Sequence, residues 1–288
     1  VAELKLDAST RDMLDRLRFA YEVFALPAQI FFDESQGVLI TEYIDQEKPF
    51  LDRSLKEQFA VALEAFKAQE AAHITTAGHE LAVADYYIKA GEYKPIGASA
   101  PDVVGLLIGD EDLYPKLDTA LDRTIELVRD NEETVDRYGG FLTHWDFMPQ
   151  NFRIRDDRLY LLDHTSIRFG NKYEGWARFI NFMTLYNPPL ADALVEYVRL
   201  NRTPEESLAL KIMRAYRLVE LIRYYATCLS QTTGNTHELA RARIAFWAEV
   251  LTHVLDDTEV PTETVESYKK KRDMLRSDDE KARQKGLH

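Results

Sequence analysis

The segment His144-Trp145-Asp146-Phe147-Met148-Pro149-Gln150-Asn151, taken with Asp163 downstream, holds the side chains in this chain best suited to chemistry. The spacing His-x-Asp-x-x-x-x-Asn, followed by a second Asp, supplies three oxygen-bearing groups. Such a set can serve phosphoryl transfer from a Mg2+-bound nucleotide, with one Asp receiving a hydroxyl proton and the Asn and second Asp holding metal. Any one of them alone is an ordinary turn residue, because Asp and Asn side chains bond the nearby backbone. Their setting argues for the set. Residues 152–155 and 159–162 are strand-like runs, and Asp156-Asp157-Arg158 between them reads as a turn. A hairpin returns the chain to its origin, so Asp163 is expected beside Asn151. Two hard oxygen ligands, completed by water and phosphate oxygens, suit Mg2+, which rarely takes an all-protein cage. His144 is expected to be structural, a buried imidazole bonding the loop backbone.

On these residues, with Leu161-Leu162 before Asp163, the chain resembles the aminoglycoside phosphotransferase and choline kinase family, small-molecule kinases with a protein-kinase-like fold. The similarity is strongest over residues 141–183. The resemblance implies Asp146 as catalytic base, Asn151 and Asp163 as Mg2+ ligands, and ATP or GTP as phosphoryl donor. The acceptor it implies is a small hydroxyl-bearing molecule of the aminoglycoside, choline-like or sugar class. It implies an α+β, two-lobe architecture with a small β-containing N-lobe and a large, mostly helical C-lobe. Lys5 becomes the strand lysine that pairs with nucleotide phosphates, although it reads equally well as a solvated strand residue. Asp12 or Asp15 becomes its acidic helix partner, and Glu42-Tyr43-Ile44 the hinge whose backbone groups meet the adenine edge.

Two departures stand against that pattern. The first glycine is Gly37, so the Gly-rich strand-turn-strand that covers nucleotide phosphates has no counterpart before Lys5, and a truncated small lobe is expected. Downstream, the family carries an Asp that braces the catalytic loop; Gly175 and Trp176 stand in its place, with Glu174 beside them as a candidate substitute. These departures keep an alternative open, a catalytically degenerate nucleotide-binding or regulatory protein.

The elements that must position the loop follow from hydrophobic spacing. Residues 1–47 read as an N-lobe remnant: a strand over 1–6, an amphipathic helix over 11–24, then strands over 29–32 and 38–43. Residues 48–256 read as the helical lobe containing the loop and hairpin at 141–163. Helices are expected over 51–77, 81–90, 113–138, 176–185, 190–200, 204–229 and 238–255, with a Gly- and Pro-bearing loop over 91–109. Thr203-Pro204-Glu205-Glu206 is a strong helix start, with Thr203 as cap, Pro204 at the first position and Glu206 three residues on. Residues 257–288 read as a charged, partly solvated helix and tail.

Composition narrows the partners. A chain of 288 residues, 45% hydrophobic and 30% charged, is long enough for a large core. Its single cysteine, Cys228, cannot form an internal disulfide. The longest apolar stretches fall far short of the roughly 20 residues of a membrane span, and a cytoplasmic enzyme is expected. A net charge of −13 argues against nucleic acid and anionic membranes as partners and is compatible with a cationic acceptor. Acceptor-site candidates are Trp145, Tyr186, Tyr224 and Tyr225, whose faces would suit a quaternary ammonium, and the acids Glu196 and Glu220. Residues of these types at helical spacing also serve as core or as solvated helix faces.

Overall fold

Short apolar runs on either side of an Asp-containing turn make a hairpin of the first described segment. The computed structural model describes residues 11, 25–46, 48–71, 73, 114–229 and 231–284. Strands β1 (Gln29–Asp33) and β2 (Val38–Thr41) pair antiparallel. Asp33 Oδ1 accepts from the Ser35 amide at 2.8 Å and the Gln36 amide at 3.1 Å, and Gly37 turns the chain at φ +66°. Lys5, Asp12 and Asp15 lie outside the described residues. So do the expected strand over 1–6, all but Arg11 of the helix over 11–24, the helix over 81–90 and the loop over 91–109.

Helix α1 (Leu55–Ala71) starts four residues later than expected, after a 3-10 turn at Phe50–Asp52. The cause is a capping box: the Ser54 amide donates to Glu57 Oε2 at 2.7 Å, and the Glu57 amide to Ser54 Oγ at 3.4 Å. The single helix expected over 113–138 is two, α2 (Tyr114–Asp130) and α3 (Glu132–Arg137). Asn131 parts them, its side-chain amide donating to the Leu127 carbonyl at 2.8 Å and so competing with the helical ladder.

Three two-stranded antiparallel pieces make up the sheet content among the described residues: β1–β2, β3 (Phe141–His144) with β6 (Ile167–Gly170), and β4 (Phe152–Arg155) with β5 (Arg158–Leu161). Helices α4 (Glu174–Tyr186), α5 (Pro188–Asn201), α6 (Pro204–Leu229) and α7 (Gly234–Leu255) follow. Pro188, expected as a breaker, occupies the first turn of α5, where its missing N–H has no helical partner to lose. The capping box opening α6 forms as expected: Thr203 N donates to Glu206 Oε2, and Glu206 N to Thr203 Oγ1, each at 3.1 Å. The charged C-terminal helix is broken into α8 (Thr262–Leu275) and α9 (Asp278–Gln284). It is less solvated than its composition suggests, because Val265 and Tyr268 are buried and Tyr268 stacks on Phe246 of α7 at 4.3 Å.

Two apolar clusters hold these elements. One joins α1, the hairpin and α4 to α5 around Phe66, Phe147, Trp176 and Phe179; the other joins α2, α6, α7 and α8. The result is a small β-containing lobe beside a large helical one.

Candidate active site

Strand β3 delivers the loop, and its aromatic neighbour fixes it. Phe147 is fully buried, stacked on Phe152 at 5.2 Å and within 5.8 Å of Phe66 and Phe179. Burying that ring leaves the preceding Asp146 at the surface, its side chain 31% exposed. A 3-10 turn at Pro149–Asn151 then leads into β4. Asp156 and Asp157, at φ 51° and 57°, form the two-residue turn to β5. Two consecutive left-handed residues match the right-handed twist of a tight hairpin, and Asp tolerates that region better than most side chains. Phe152 pairs with Leu161, and Leu162 N donates to the Asn151 carbonyl at 2.9 Å. Asp163 therefore emerges one residue beyond a hydrogen bond to Asn151, as the hairpin argument required.

Asn151 in turn reaches back to Asp146. Its Nδ2 donates to the Asp146 carbonyl at 2.8 Å and to Asp146 Oδ2 at 3.1 Å. This commits the amide nitrogen and leaves Asn151 Oδ1 without a donor among the described residues. The Asp163 carboxylate accepts from Thr165 Oγ1 at 2.7 Å on Oδ1 and from Ser166 Oγ at 2.5 Å on Oδ2. Each of its oxygens keeps lone-pair capacity. One amide oxygen and one carboxylate are what a Mg2+ site sharing its shell with water and phosphate needs. No cluster of three or more His, Cys, Asp or Glu able to hold a metal occurs among the described residues.

Two histidines fasten the backbone around Asp163, whose φ of +28° is itself unusual. His144 Nε2 donates to the Asp163 carbonyl at 3.1 Å, and His164 Nε2 to the Leu161 carbonyl at 3.0 Å. His144 is fully buried with Nδ1 unpartnered, and burial pulls its pKa down to about 4 against the opposing pull of Asp163 and Asp146. A neutral ring tying one backbone turn to another is the structural role expected of it.

No protein-family model matches this sequence, and no curated protein is significantly similar to it. Solved structures are. That of aminoglycoside phosphotransferase APH(2'')-Ib with ADP bound is similar over 86% of this chain and 83% of its own, at 14% identity and a TM-score of 0.50. That of a thermostable mutant of aminoglycoside phosphotransferase APH(4)-Ia, in its apo form, is similar over 81% and 78%, at 14% identity and 0.51. The fold is that of the aminoglycoside phosphotransferases. What is shared at this identity is the scaffold, and a scaffold does not specify an acceptor.

Within this fold Glu42, expected from the sequence at a hinge, meets the hairpin. Glu42 Oε1 accepts from Arg155 Nη2 at 2.9 Å, while Glu42 Oε2 accepts from the Ala28 amide at 3.2 Å. The Ala28 amide and then the Arg155 guanidinium hold the Glu42 carboxyl below the usual range. Ile44 is buried, and Leu161 N donates to the Ala25 carbonyl at 2.9 Å. The segment flanking β1 and β2 is thus pinned to the hairpin that carries Asp163.

Sequence reasoning missed the arginines. Arg178 on α4 donates its Nε to Asp146 Oδ1 at 2.8 Å. Arg217 on α6 donates Nη2 to the Trp145 carbonyl at 2.9 Å and forms ion pairs with Glu220 and Glu174. Glu174, fully buried, also pairs with Arg168. Through Arg217 it reaches the Trp145 carbonyl of the loop. The acceptor candidates are largely engaged elsewhere: Arg168 and Arg217 lie over the Trp145 ring at 4.9 and 5.0 Å, Tyr186 stacks on Phe182, and Glu196 pairs with Arg199. Tyr224 is exposed and meets Tyr225 edge-on at 5.3 Å. An arginine on an amphipathic helix reads as a solvated face, so the sequence carried no sign that Arg178 turns inward to the loop.

Proposed function

We propose that this chain is an ATP- or GTP-dependent small-molecule kinase that transfers the γ-phosphoryl group to an acceptor hydroxyl. The observation that carries the proposal is the closed chain of contacts from Asp146 through Asn151 to the hairpin end at Leu162 and Asp163. In this reading Asp146, oriented by Asn151 and Arg178, accepts the hydroxyl proton and aims the oxygen at phosphorus. Asn151 Oδ1 and the Asp163 carboxylate would hold Mg2+. When bound, that ion neutralises charge on the transferred group; positioning and electrostatics supply most of the catalysis. The acceptor is a small molecule of the aminoglycoside, choline-like or sugar class.

One observation favours a second reading, a nucleotide-binding protein without turnover. Both carboxylate oxygens of Asp146 are already bonded, to Arg178 and to Asn151. The two readings separate in one experiment. Thermal shift with ATP and GTP, with and without Mg2+, is followed by turnover assays across amino-sugar, choline-like and sugar acceptors. A native-state ligand must raise apparent stability. A Mg2+-dependent shift that Asp163→Ala removes, with turnover that Asp146→Ala abolishes, supports the kinase. A shift without turnover supports the second reading. Wild-type turnover in either variant would overturn the site assignment.

A further inference from the structure

The loop has an anchor on a helix far from it in sequence. Trp145 N donates across to the Ser166 carbonyl. Successive strand amides point to opposite edges, so the His144 amide faces away from β6, on an edge where the described residues add to β3 only an isolated bridge from His73 to Phe141. It meets Gln69 Oε1 of α1 at 3.3 Å. Gln69 is 1% exposed, and Thr143 Oγ1 stands 3.5 Å from the same oxygen while accepting from the Gly175 amide at 3.1 Å. One side-chain oxygen from α1 thereby joins the end of β3 to the start of α4.

Gly175 makes room for it. A Cβ at that position would fall 2.2 Å from Gln69 Oε1, 3.1 Å from Gln69 Cδ and 3.2 Å from Thr143 Oγ1. The amide of Gln69 and a side chain at 175 compete for one space. We propose that Gln69 is a positioning residue for the catalytic loop, supplying across the fold the acceptor oxygen that a short acidic side chain at 175 would supply from α4, and that Gly175 is required to admit it. The link from this loop to catalysis rests on the kinase reading above; the link from Gln69 to loop order does not.

The test uses the full chain and two readouts. Hydrogen exchange is measured on the peptide carrying residues 144–151, and kcat and KM for ATP are measured with the best acceptor or, lacking one, by ATP hydrolysis. Gln69→Leu keeps the bulk and removes the acceptor. We expect about 10-fold faster exchange in the loop, as for one buried amide left unbonded, and a similar fall in kcat with KM for ATP within about twofold. Gly175→Ala, which keeps Gln69 but crowds it, reproduces both effects. Gln69→Ala combined with Gly175→Asp regains most of both, whereas Gln69→Ala with Gly175→Ala does not. Wild-type exchange in Gln69→Leu, or a double variant with Asp no better than the one with Ala, overturns the proposal, and the four variants together decide it even where one is poorly folded. If the exchange pattern appears but no variant nor the wild type turns over, the kinase reading fails while the anchor stands.

Discussion

His144 gives the chain a built-in acid sensitivity that can be sized. The unfolded chain binds a proton at this imidazole as pH falls through 6.5, but the folded chain, with the ring sealed in the core, does so only near 4. Between those values the unfolded state holds more protons, so stability falls as pH falls; above about 6.5 both states are neutral and the contribution is fully present. The interval from 6.5 to about 4 at about 1.4 kcal/mol per pH unit gives about 3 kcal/mol. The perturbation is His144→Gln, which removes the titrating ring and keeps a polar group of similar reach. It should cost about 1–2 kcal/mol at pH 7.5, where a buried hydrogen bond is altered. Between pH 6.5 and 4.5 its unfolding free energy should fall by roughly 2–3 kcal/mol less than that of the wild type, so the two curves approach one another. Urea denaturation at four pH values between 7.5 and 4.5 measures this, and comparing the two proteins cancels the carboxylates they share. Parallel curves would refute the argument, since they would mean that the ring is either accessible to protons or already charged in the folded state.

Two further substitutions probe the same neighbourhood. Arg178→Ala frees Asp146 Oδ1; if Arg178 orients the base, kcat should drop by about 10- to 100-fold with nucleotide affinity unchanged, while a rise in turnover would show that the ion pair restrains the site. Glu174→Gln strips the buried counter-ion from Arg168 and Arg217. It should cost about 3 kcal/mol or more, seen as a melting temperature lower by about 6–12 °C, and an unchanged melting temperature would mean that Glu220 alone balances Arg217.

What the sequence disclosed was local. The hairpin needed only two short apolar runs and a pair of residues able to turn left-handed, and Asp156-Asp157 met that need without glycine. The position of Asp163 beside Asn151 followed from chain return alone. The start of α6 was equally local, because Thr203 and Glu206 satisfy each other's amides. Where neighbours three or four residues apart were overlooked, as with Ser54 and Glu57 or Asn131 and Leu127, helix boundaries moved accordingly. What stayed hidden were partners set by tertiary packing. The gap left by an absent acid at Gly175 was visible as a departure, but nothing near it in sequence pointed to Gln69, which reaches the spot from α1. Arg178 and Arg217 likewise carry no local mark, since the helix face that meets the loop is decided by how α4 and α6 pack.

Charge around the loop bears on the acceptor in a way that net charge does not. The chain carries −13 overall, which on its own invites a cationic acceptor. At the loop, however, three arginines are held by acids: Arg178 meets Asp146, Arg168 meets Glu174, and Arg217 meets Glu174 and Glu220. Asp146, Glu174 and Glu220 are thereby spent on guanidinium groups fixed in the fold, while Asp163, bonded to Thr165 and Ser166, is assigned to Mg2+ in the kinase reading. Trp145 repeats the pattern, because two arginines already lie over its ring and would repel a third positive charge from the aromatic face. An aromatic cage for a quaternary ammonium therefore loses its best candidate, and the acidic surface reads more simply as a solvating one. Discrimination among hydroxyl acceptors would then rest on shape and on neutral polar groups. On this argument neutral sugars should be screened before polycationic amino-sugars.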